Sequence, residues 1–354
     1  MNIKITPNPT PKPKPDVNGL QFGKVFTDHM FIMDYYGGQG WVEPRIVPYG
    51  PIELDPSCKV LHYGQEVFEG MKAYRHADGS PVLFRPEMNF RRLNISCQRM
   101  CIPAFDEAMA LEATRKLVEL DADWIPDAPG TSLYIRPFIF GADNALGIGP
   151  SEHLIFLIIC SPVASIFGGN MAAVNILVET ELVRAVRGGT GFAKTGGNYA
   201  ASLLAAKKAQ VAGFSQVLWL DGVERRYIEE VGAMNIFFRI DDEIITPSLD
   251  SGSILPGITR DSCIQLLRSR GHAVTERRIA IDELCQHMRD GRVREIFGSG
   301  TAAVVTPVGG IQVCDEFFTI NDGKSGEVTT MLYNTLTGIQ TGKVADEFGW
   351  VVRV

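Results

Sequence analysis

The longest apolar run in the chain is LIFLIICSPVA, residues 154–164, and nothing else limits the fold as much. A helix needs about 20 apolar residues to cross a bilayer. The run is too short for that and reads as a buried strand. Segments of both periodicities surround it. SLYIRPFIFG (132–141) and HLIFLIICSPV (153–163) read as strands, while EMNFRRLNISCQRM (87–100) and AMALEATRKLVELDADWI (108–125) read as helices. ADGS at 77–80 is a turn signal inside VLHYGQEVFEGMKAYRHADGSPVLFRP (60–86), which makes that stretch a hairpin candidate. In the second half, AAVNILV (172–178) and SQVLWLDG (215–222) read as strands and YIEEVGAMNIFFRI (227–240) as a strand pair. Asn198 is a candidate cap for the helix YAASLLAAKKAQVA, which Gly213 closes. LPGITRDSCIQLLRSRG (255–271) reads as a turn and then a helix, and FGSGTAAVVTPVGG (297–310) as a glycine-rich loop. Strands and helices mix without regular β-α-β alternation, so the expected class is α+β rather than a doubly wound sheet.

A chain of 354 residues can bury two cores. SIFGGN (165–170), a glycine-containing break after the buried strand, is the best boundary. The expected organisation is a proline-rich arm at 1–16, disordered or loosely draped, a small N-terminal domain at 17–164, an interdomain loop at 165–171 and a large C-terminal domain at 172–354. The net charge of −7 argues against a nucleic-acid-binding surface. The N-terminus lacks the apolar core of a signal peptide and no segment suits a membrane, so a cytoplasmic protein is expected. The seven cysteines are scattered, with no C-x-x-C pair, and the six histidines are isolated. Free thiols and no catalytic metal are expected.

GFAKTGGNYAAS, residues 191–202, sets one lysine, Lys194, among small uncharged residues. A surface lysine is the ordinary reading. A phosphate-binding P-loop almost fits GGTGFAKT (188–195), but Ala193 stands where that motif needs glycine. The third reading is a Schiff-base lysine, whose amine must be partly neutral to attack a carbonyl. Desolvation among small neighbours achieves that, and Gly196 and Gly197 would let the backbone approach a cofactor ring. A pyridoxal phosphate site also needs an arginine and helix-start N–H groups for phosphate, a carboxylate for the pyridine nitrogen, and donors for the substrate carboxylate. Arg91 or Arg92, the turn PGITR (256–260), Glu229 or Glu230, and GSGT (298–301) are candidates for these roles.

LHYGQEVFEGMKAY, LFRPEMNFRRL, YIRPFIFG, AKTGGNY, QVLWLDG, EEVGAMN, LPGITRDS and FGSGTAAVVTPVG, in that order, resemble the branched-chain amino acid aminotransferases of the fold type IV class of pyridoxal phosphate enzymes. The likeness runs from FGKVFTDHMF near residue 22 to the C-terminus. It implies a D-amino acid aminotransferase-like fold, with two α/β domains joined by an interdomain loop. It also implies ping-pong transfer of the amino group between L-leucine, L-isoleucine or L-valine and 2-oxoglutarate.

By the resemblance, Lys194 would join pyridoxal 5'-phosphate covalently and then shuttle a proton at the substrate Cα. Glu230 would bind the pyridine nitrogen, with Glu229 on the opposite, exposed face of a strand. Tyr199 would bond the cofactor's phenolic oxygen. Arg92, the N–H groups of Ile258 and Thr259, and the Thr301 hydroxyl would take the phosphate. The backbone at Thr301 and Ala302 would take the substrate carboxylate. Phe22, Phe68 and Tyr134 would wall an apolar pocket, whereas without the resemblance ordinary core packing is the favoured reading of these aromatics. Arg136 would meet the distal carboxylate of glutamate, which is costly to bury unpaired. Tyr63, Leu146 and Ile148 would come from the other subunit of a homodimer.

The chain departs from the pattern at Ala303 and Thr306, where the animal enzymes carry a redox C-x-x-C pair, at Ala233, where some relatives have threonine, and at Ile166, where some have tyrosine. D-amino acid aminotransferases and aminodeoxychorismate lyases are the neighbouring specificities, and a nucleotide-binding protein reusing the 188–195 loop is the non-enzymatic alternative.

Overall fold

In the computed structural model, which describes residues 2–164 and 171–354, the apolar run near residue 154 becomes an inner strand of a nine-stranded sheet. That sheet belongs to the first of two units, made of residues up to 169 together with 193–196 and 338–354. Eight of its strands are β1 (Lys4–Ile5), β2 (His29–Tyr36), β3 (Gly40–Pro48), β4 (Glu66–Phe68), β5 (Met71–Arg75), β6 (Pro81–Phe84), β7 (Ser132–Gly141) and β8 (His153–Val163), and the ninth comes from the end of the chain and pairs with β6. They bond in the order β1-β3-β2-β8-β7-β5-β6, with β4 on β7. The ADGS turn joins β5 to β6 as an antiparallel hairpin.

The helices α1 (Lys59–Tyr63), α2 (Pro86–Arg99) and α3 (Glu107–Leu120) belong to the same unit. The Asp106 side chain caps α3 by accepting the N–H groups of Ala108 and Met109. Met109, Ala113 and Leu117 then lie on one buried stripe. That stripe packs with Phe90 and Leu93 of α2 against Phe31 and Phe156 of the sheet. Leu117 is fully buried, and truncating it to alanine costs about 2–5 kcal/mol.

The second unit is residues 170–192 with 197–337. Its strands are β9 (Val174–Glu179), β10 (Gln216–Leu220), β11 (Ile228–Val231), β12 (Met234–Ile240), β13 (Glu243–Thr246), β14 (Ala273–Glu276), β15 (Val293–Gly300), β16 (Val304–Val313) and β17 (Glu316–Thr319). The order is β11-β10-β9-β16-β15-β12-β13-β14, with β17 on β16. Because β11 also pairs with β12, the path from β11 to β12 closes into a ring, and its strands have no free edge. The helices here are α4 (Gly196–Val211), α5 (Ile258–Ser269), α6 (Ile281–Arg289) and α7 (Glu327–Gln340). Both sheets are mostly antiparallel, with parallel pairs at β1–β3, β9–β10, β9–β16 and β13–β14. The mixed class read from the sequence is what forms.

Several expectations change. The arm at 1–16 is not structureless: Lys4–Ile5 pairs with β3, the Asn8 N–H donates to His29 Nε2, and Lys12 Nζ donates to the carbonyls of Phe26 and Thr27. Its prolines hold an extended path and its polar groups anchor it. The chain also returns to the first unit at its end, where β18 (Val351–Arg353) pairs with β6, so 172–354 is not one domain. Residues 297–310 are not a loop but the β15–β16 hairpin. Gly298 serves close packing there, since a Cβ would sit 3.0 Å from the Met234 methyl. Asn198 is no cap: it lies inside α4, and its amide bonds the Thr190 carbonyl and hydroxyl. The helix expected at 108–125 ends at Leu120, followed by a short 3-10 turn at Ala122–Trp124. The interdomain loop and Ile166 lie outside the described residues, apart from Met171.

Candidate active site

Lys194 belongs with the first unit and faces strand β4. Its amine lies 4.8 Å from the centre of the Phe68 ring. The Phe68 N–H donates to the Lys194 carbonyl (3.0 Å), and the Lys194 N–H donates to Ser96 Oγ (2.9 Å). Burial lowers the amine's pKa to about 8, helped by the positive charge of Arg92 and opposed by Glu69. The amine is therefore partly neutral near physiological pH.

The same sheet face collects the three aromatics. Tyr134 and Arg136 are alternate residues of β7, so both point to one side. Phe22 packs edge-on against Tyr134 at 4.8 Å. The Arg136 guanidinium lies 4.8 Å from the Phe68 ring centre and 5.3 Å from that of Tyr134, and it donates to the Tyr134 hydroxyl (3.3 Å). Phe22, Phe68, Tyr134, Arg136 and Lys194 are thus one contiguous cluster. Lys72, opposite Tyr134 in the β5–β7 register, is a second buried lysine whose pKa burial lowers to about 8.

Helix α2 sets its two arginines in different surroundings. Arg91 is exposed and Arg92 is buried. Asn89, Arg92 and Ser96 recur at helical spacing and share a face. Arg92 holds Glu69 by two hydrogen bonds, Nε–Oε1 at 2.7 Å and Nη2–Oε2 at 2.9 Å, and Asn89 adds a third at 2.7 Å. Burial alone would raise the Glu69 pKa, but the charges of Arg92 and Lys194 and the hydrogen bonds from Arg92 and Asn89 together outweigh it and hold the carboxyl below its usual range. Glu69 was not singled out in the sequence. It is one acid in the run FEGMK, and its partner lies 23 residues on. Glu66 was missed too. Burial raises its pKa, while the donating Gly196 N–H and Thr195 hydroxyl partly offset that.

Within the second unit, Glu230 is buried on β11. Its Oε1 accepts the Leu255 N–H (2.7 Å), and its Oε2 lies 3.4 Å from Arg184 Nε. Asn235, opposite Glu230 in register, donates to the Leu255 carbonyl (3.0 Å). Together they fix the segment entering α5, whose first residues are Ile258 and Thr259. Gly257 stands at its N-cap, and no side chain among the described residues caps it. A Cβ at Gly257 would lie 2.0 Å from the Asn235 side-chain oxygen, so any other residue would displace the Asn235 amide from its place. Thr301 and Ala302 form the half-buried β15–β16 turn, and Tyr199 is half-buried on α4.

Glu229 is not exposed as expected. It is buried, accepts a hydrogen bond from Ser253 Oγ, and burial raises its pKa. All four residues of β11 are buried, so alternation along it sends neither face to water. Ala233 is exposed in the β11–β12 turn and Thr306 is buried on β16.

Tyr63, Leu146 and Ile148 stand at the surface of the first unit, 45%, 68% and 90% exposed, and the Tyr63 hydroxyl donates to the Leu146 carbonyl. Among the described residues, no group of His, Cys, Asp or Glu is placed to hold a metal ion, and no helix is long and apolar enough to cross a membrane.

The sequence was also compared with known proteins. A family model described as "Amino-transferase class IV" matches residues 66–311. Branched-chain-amino-acid aminotransferase 2 of Bacillus subtilis (strain 168) is 57% identical over 352 residues, covering 99% of this chain and 97% of that protein. The crystal structure of the Escherichia coli branched-chain amino acid aminotransferase superposes with a TM-score of 0.75 at 29% identity, covering 92% of this chain and 98% of that one. The T.th. branched-chain amino acid aminotransferase with pyridoxamine 5'-phosphate gives 0.74 at 28%, covering 91% and 98%. The matched stretch contains Lys194, Phe68, Tyr134, Arg136 and Glu230, and the chain belongs to the class IV aminotransferases.

Proposed function

We propose that the chain is a branched-chain amino acid aminotransferase that uses pyridoxal 5'-phosphate and moves the amino group between L-leucine, L-isoleucine or L-valine and 2-oxoglutarate. The observation that carries this reading is the Lys194 amine, seated on Phe68 beside Tyr134 and Arg136 with its pKa drawn down to about 8. The residues present fit a phosphorylated pyridine aldehyde. A partly neutral amine suits an aldehyde. The uncapped start of α5 suits a phosphate. The buried Glu230 carboxylate suits a protonated ring nitrogen. Ser299 Oγ and Thr306 Oγ1 are buried hydroxyls with no hydrogen-bond partner among the described residues, so they can serve a polar ligand.

When bound, the cofactor supplies an aldehyde to carry the amino group and an electron-drawing ring that acidifies the substrate's Cα–H. The protein does the rest. Lys194 Nζ takes the proton from Cα and returns it, which a group titrating near the working pH does well in both directions. Glu230 would hold the ring-nitrogen proton, and Tyr199 would bond the phenolic oxygen. Ile258 N–H, Thr259 N–H, the Thr301 hydroxyl and Arg92 would hold the phosphate, with Glu69 fixing Arg92's orientation. The backbone at Thr301 and Ala302 would orient the substrate carboxylate. Phe22, Phe68 and Tyr134 would exclude water from an aliphatic side chain, and Arg136 would answer a distal carboxylate. Tyr63, Leu146 and Ile148 would complete the site of a second copy of the chain, making the enzyme a homodimer.

The test is the absorbance spectrum of the purified protein with added pyridoxal 5'-phosphate, before and after L-leucine, followed by borohydride reduction and peptide mapping. The expected result is a yellow band that leucine bleaches and a reduced adduct on Lys194. A band unmoved by L-leucine but bleached by D-alanine would transfer the chain to the D-amino acid specificity. A protein that stays colourless would end the catalytic reading.

A further inference from the structure

The backbone around Lys194 is held more tightly than its glycine-rich sequence suggests. Besides the bonds from Phe68 and to Ser96, the two residues after the lysine share one acceptor. The Gly196 N–H and the Thr195 hydroxyl (3.2 Å) both donate to Glu66 Oε1. Glu66 and Phe68 are alternate residues of β4 and present the same face. Thus β4 seats the amine on the Phe68 ring and holds the following backbone through Glu66. Gly196 makes this approach possible, because a Cβ there would stand 2.5 Å from Glu66 Oε1. That glycine faces the Glu66 carboxylate, which is a different use from the approach to a cofactor ring expected of it.

We propose that Glu66 is a positioning residue for Lys194: by accepting from Thr195 and Gly196, its carboxylate fixes the backbone from which the lysine amine works. The inference rests on the aminotransferase reading, in which Lys194 Nζ must reach the substrate Cα repeatedly and in one geometry. Misplacing a catalytic group by about 1 Å can cost about a hundredfold in rate. What the clamp requires is an acceptor at Oε1. A glutamine supplies that oxygen without the charge, and alanine supplies nothing.

The experiment compares full-length wild type with Glu66→Gln and Glu66→Ala, and uses Gly196→Ala as a second route to the same lesion. The first readout is amide hydrogen exchange of the cofactor-free proteins across residues 193–197, which does not depend on the reaction. Glu66→Ala and Gly196→Ala should speed exchange at Gly196 about tenfold, and Glu66→Gln should leave it within about twofold. The second is steady-state kinetics with L-leucine. In the alanine variants kcat should fall about tenfold or more with KM changed less than about threefold, and glutamine should restore most of kcat. Borohydride trapping on wild-type Lys194 runs alongside. A wild type that forms no adduct overturns the aminotransferase reading, while the exchange data still judge the clamp. Alanine variants that keep wild-type exchange and kcat overturn the clamp. A glutamine variant as impaired as alanine overturns the acceptor role in favour of charge.

Discussion

At the scale of single residues, Lys194 is the most informative. Its lowered pKa is a cost to folding as well as an asset to chemistry. Below pH 8 the amine is charged in folded and unfolded chains alike, and the folded chain bears the cost of burying that charge. Between about 8 and 10.5 the folded amine has lost its proton and the unfolded one has not, so this group makes stability rise with pH across that window. Lys194→Met removes the cost. The cofactor-free variant should be more stable than wild type at neutral pH by about 3 kcal/mol in urea denaturation. The gain should shrink as the pH passes through 8 towards 10.5. A gain that is equal at both ends of the window would show that packing, not charge burial, is responsible. The lysine itself was legible because a lone charge among small residues is a local pattern. Glu69, Ser96 and Glu66 were not, because each acts through a partner 23 to 130 residues away. The burial of Glu229 was illegible for a similar reason: alternation says which residues share a face, but not whether water lies beyond it.

At the scale of elements, periodicity placed β7 and β8 at their observed bounds and found α2, α5 and the β5–β6 hairpin. Glycine content misled at 297–310, since glycine in a close-packed strand and glycine in a loop look alike in one sequence. The start of α5 can be tested by its N–H groups. Ile258 is the first helical residue, where proline is tolerated, and Gly257 before it has extended backbone angles. Ile258→Pro should leave the far-ultraviolet circular dichroism nearly unchanged. Losing one charge-assisted hydrogen bond, it should weaken pyridoxal 5'-phosphate binding about tenfold or more, measured by titrating the cofactor-free protein. Unchanged affinity would remove α5 from the phosphate site.

The start of α7 is different, because Glu295 of β15 already occupies it. Its carboxylate accepts the N–H groups of Val328 (3.0 Å) and Thr329 (2.9 Å) and pairs with Arg239 at 2.8 Å. Burial pushes its pKa up, but the Thr329 and Val328 N–H groups bring it below the ordinary 4.5. A depressed carboxyl contributes stability above its unfolded pKa and loses it as pH falls through the folded value. Glu295→Ala should therefore cost about 2–4 kcal/mol at pH 7, and the difference from wild type should narrow as the pH falls below 4.5. Equal differences at both pH values would mean that the N–H groups do not depend on the carboxylate.

At the scale of the whole molecule, the open question is whether one chain makes a complete site. Tyr63, Leu146 and Ile148 are expected to serve a neighbouring copy, and in the single chain all three stand exposed, apolar surface that gains from being covered. If each site takes Lys194 from one subunit and Tyr63 from the other, two inactive variants can repair each other. Lys194→Ala and Tyr63→Ala should each be nearly inactive alone. After joint unfolding and refolding in equal amounts, half of the dimers are hybrids. In each hybrid one site carries both lesions and the other carries neither. The mixture should therefore regain about a quarter of wild-type activity, as random pairing in a two-fold dimer requires. Tyr63 acting within its own chain gives a different result, because every site in the mixture then has one lesion and activity stays at the level of the parents. The refolded mixture must also sediment near twice 38.9 kDa, which separates failed repair from failed assembly.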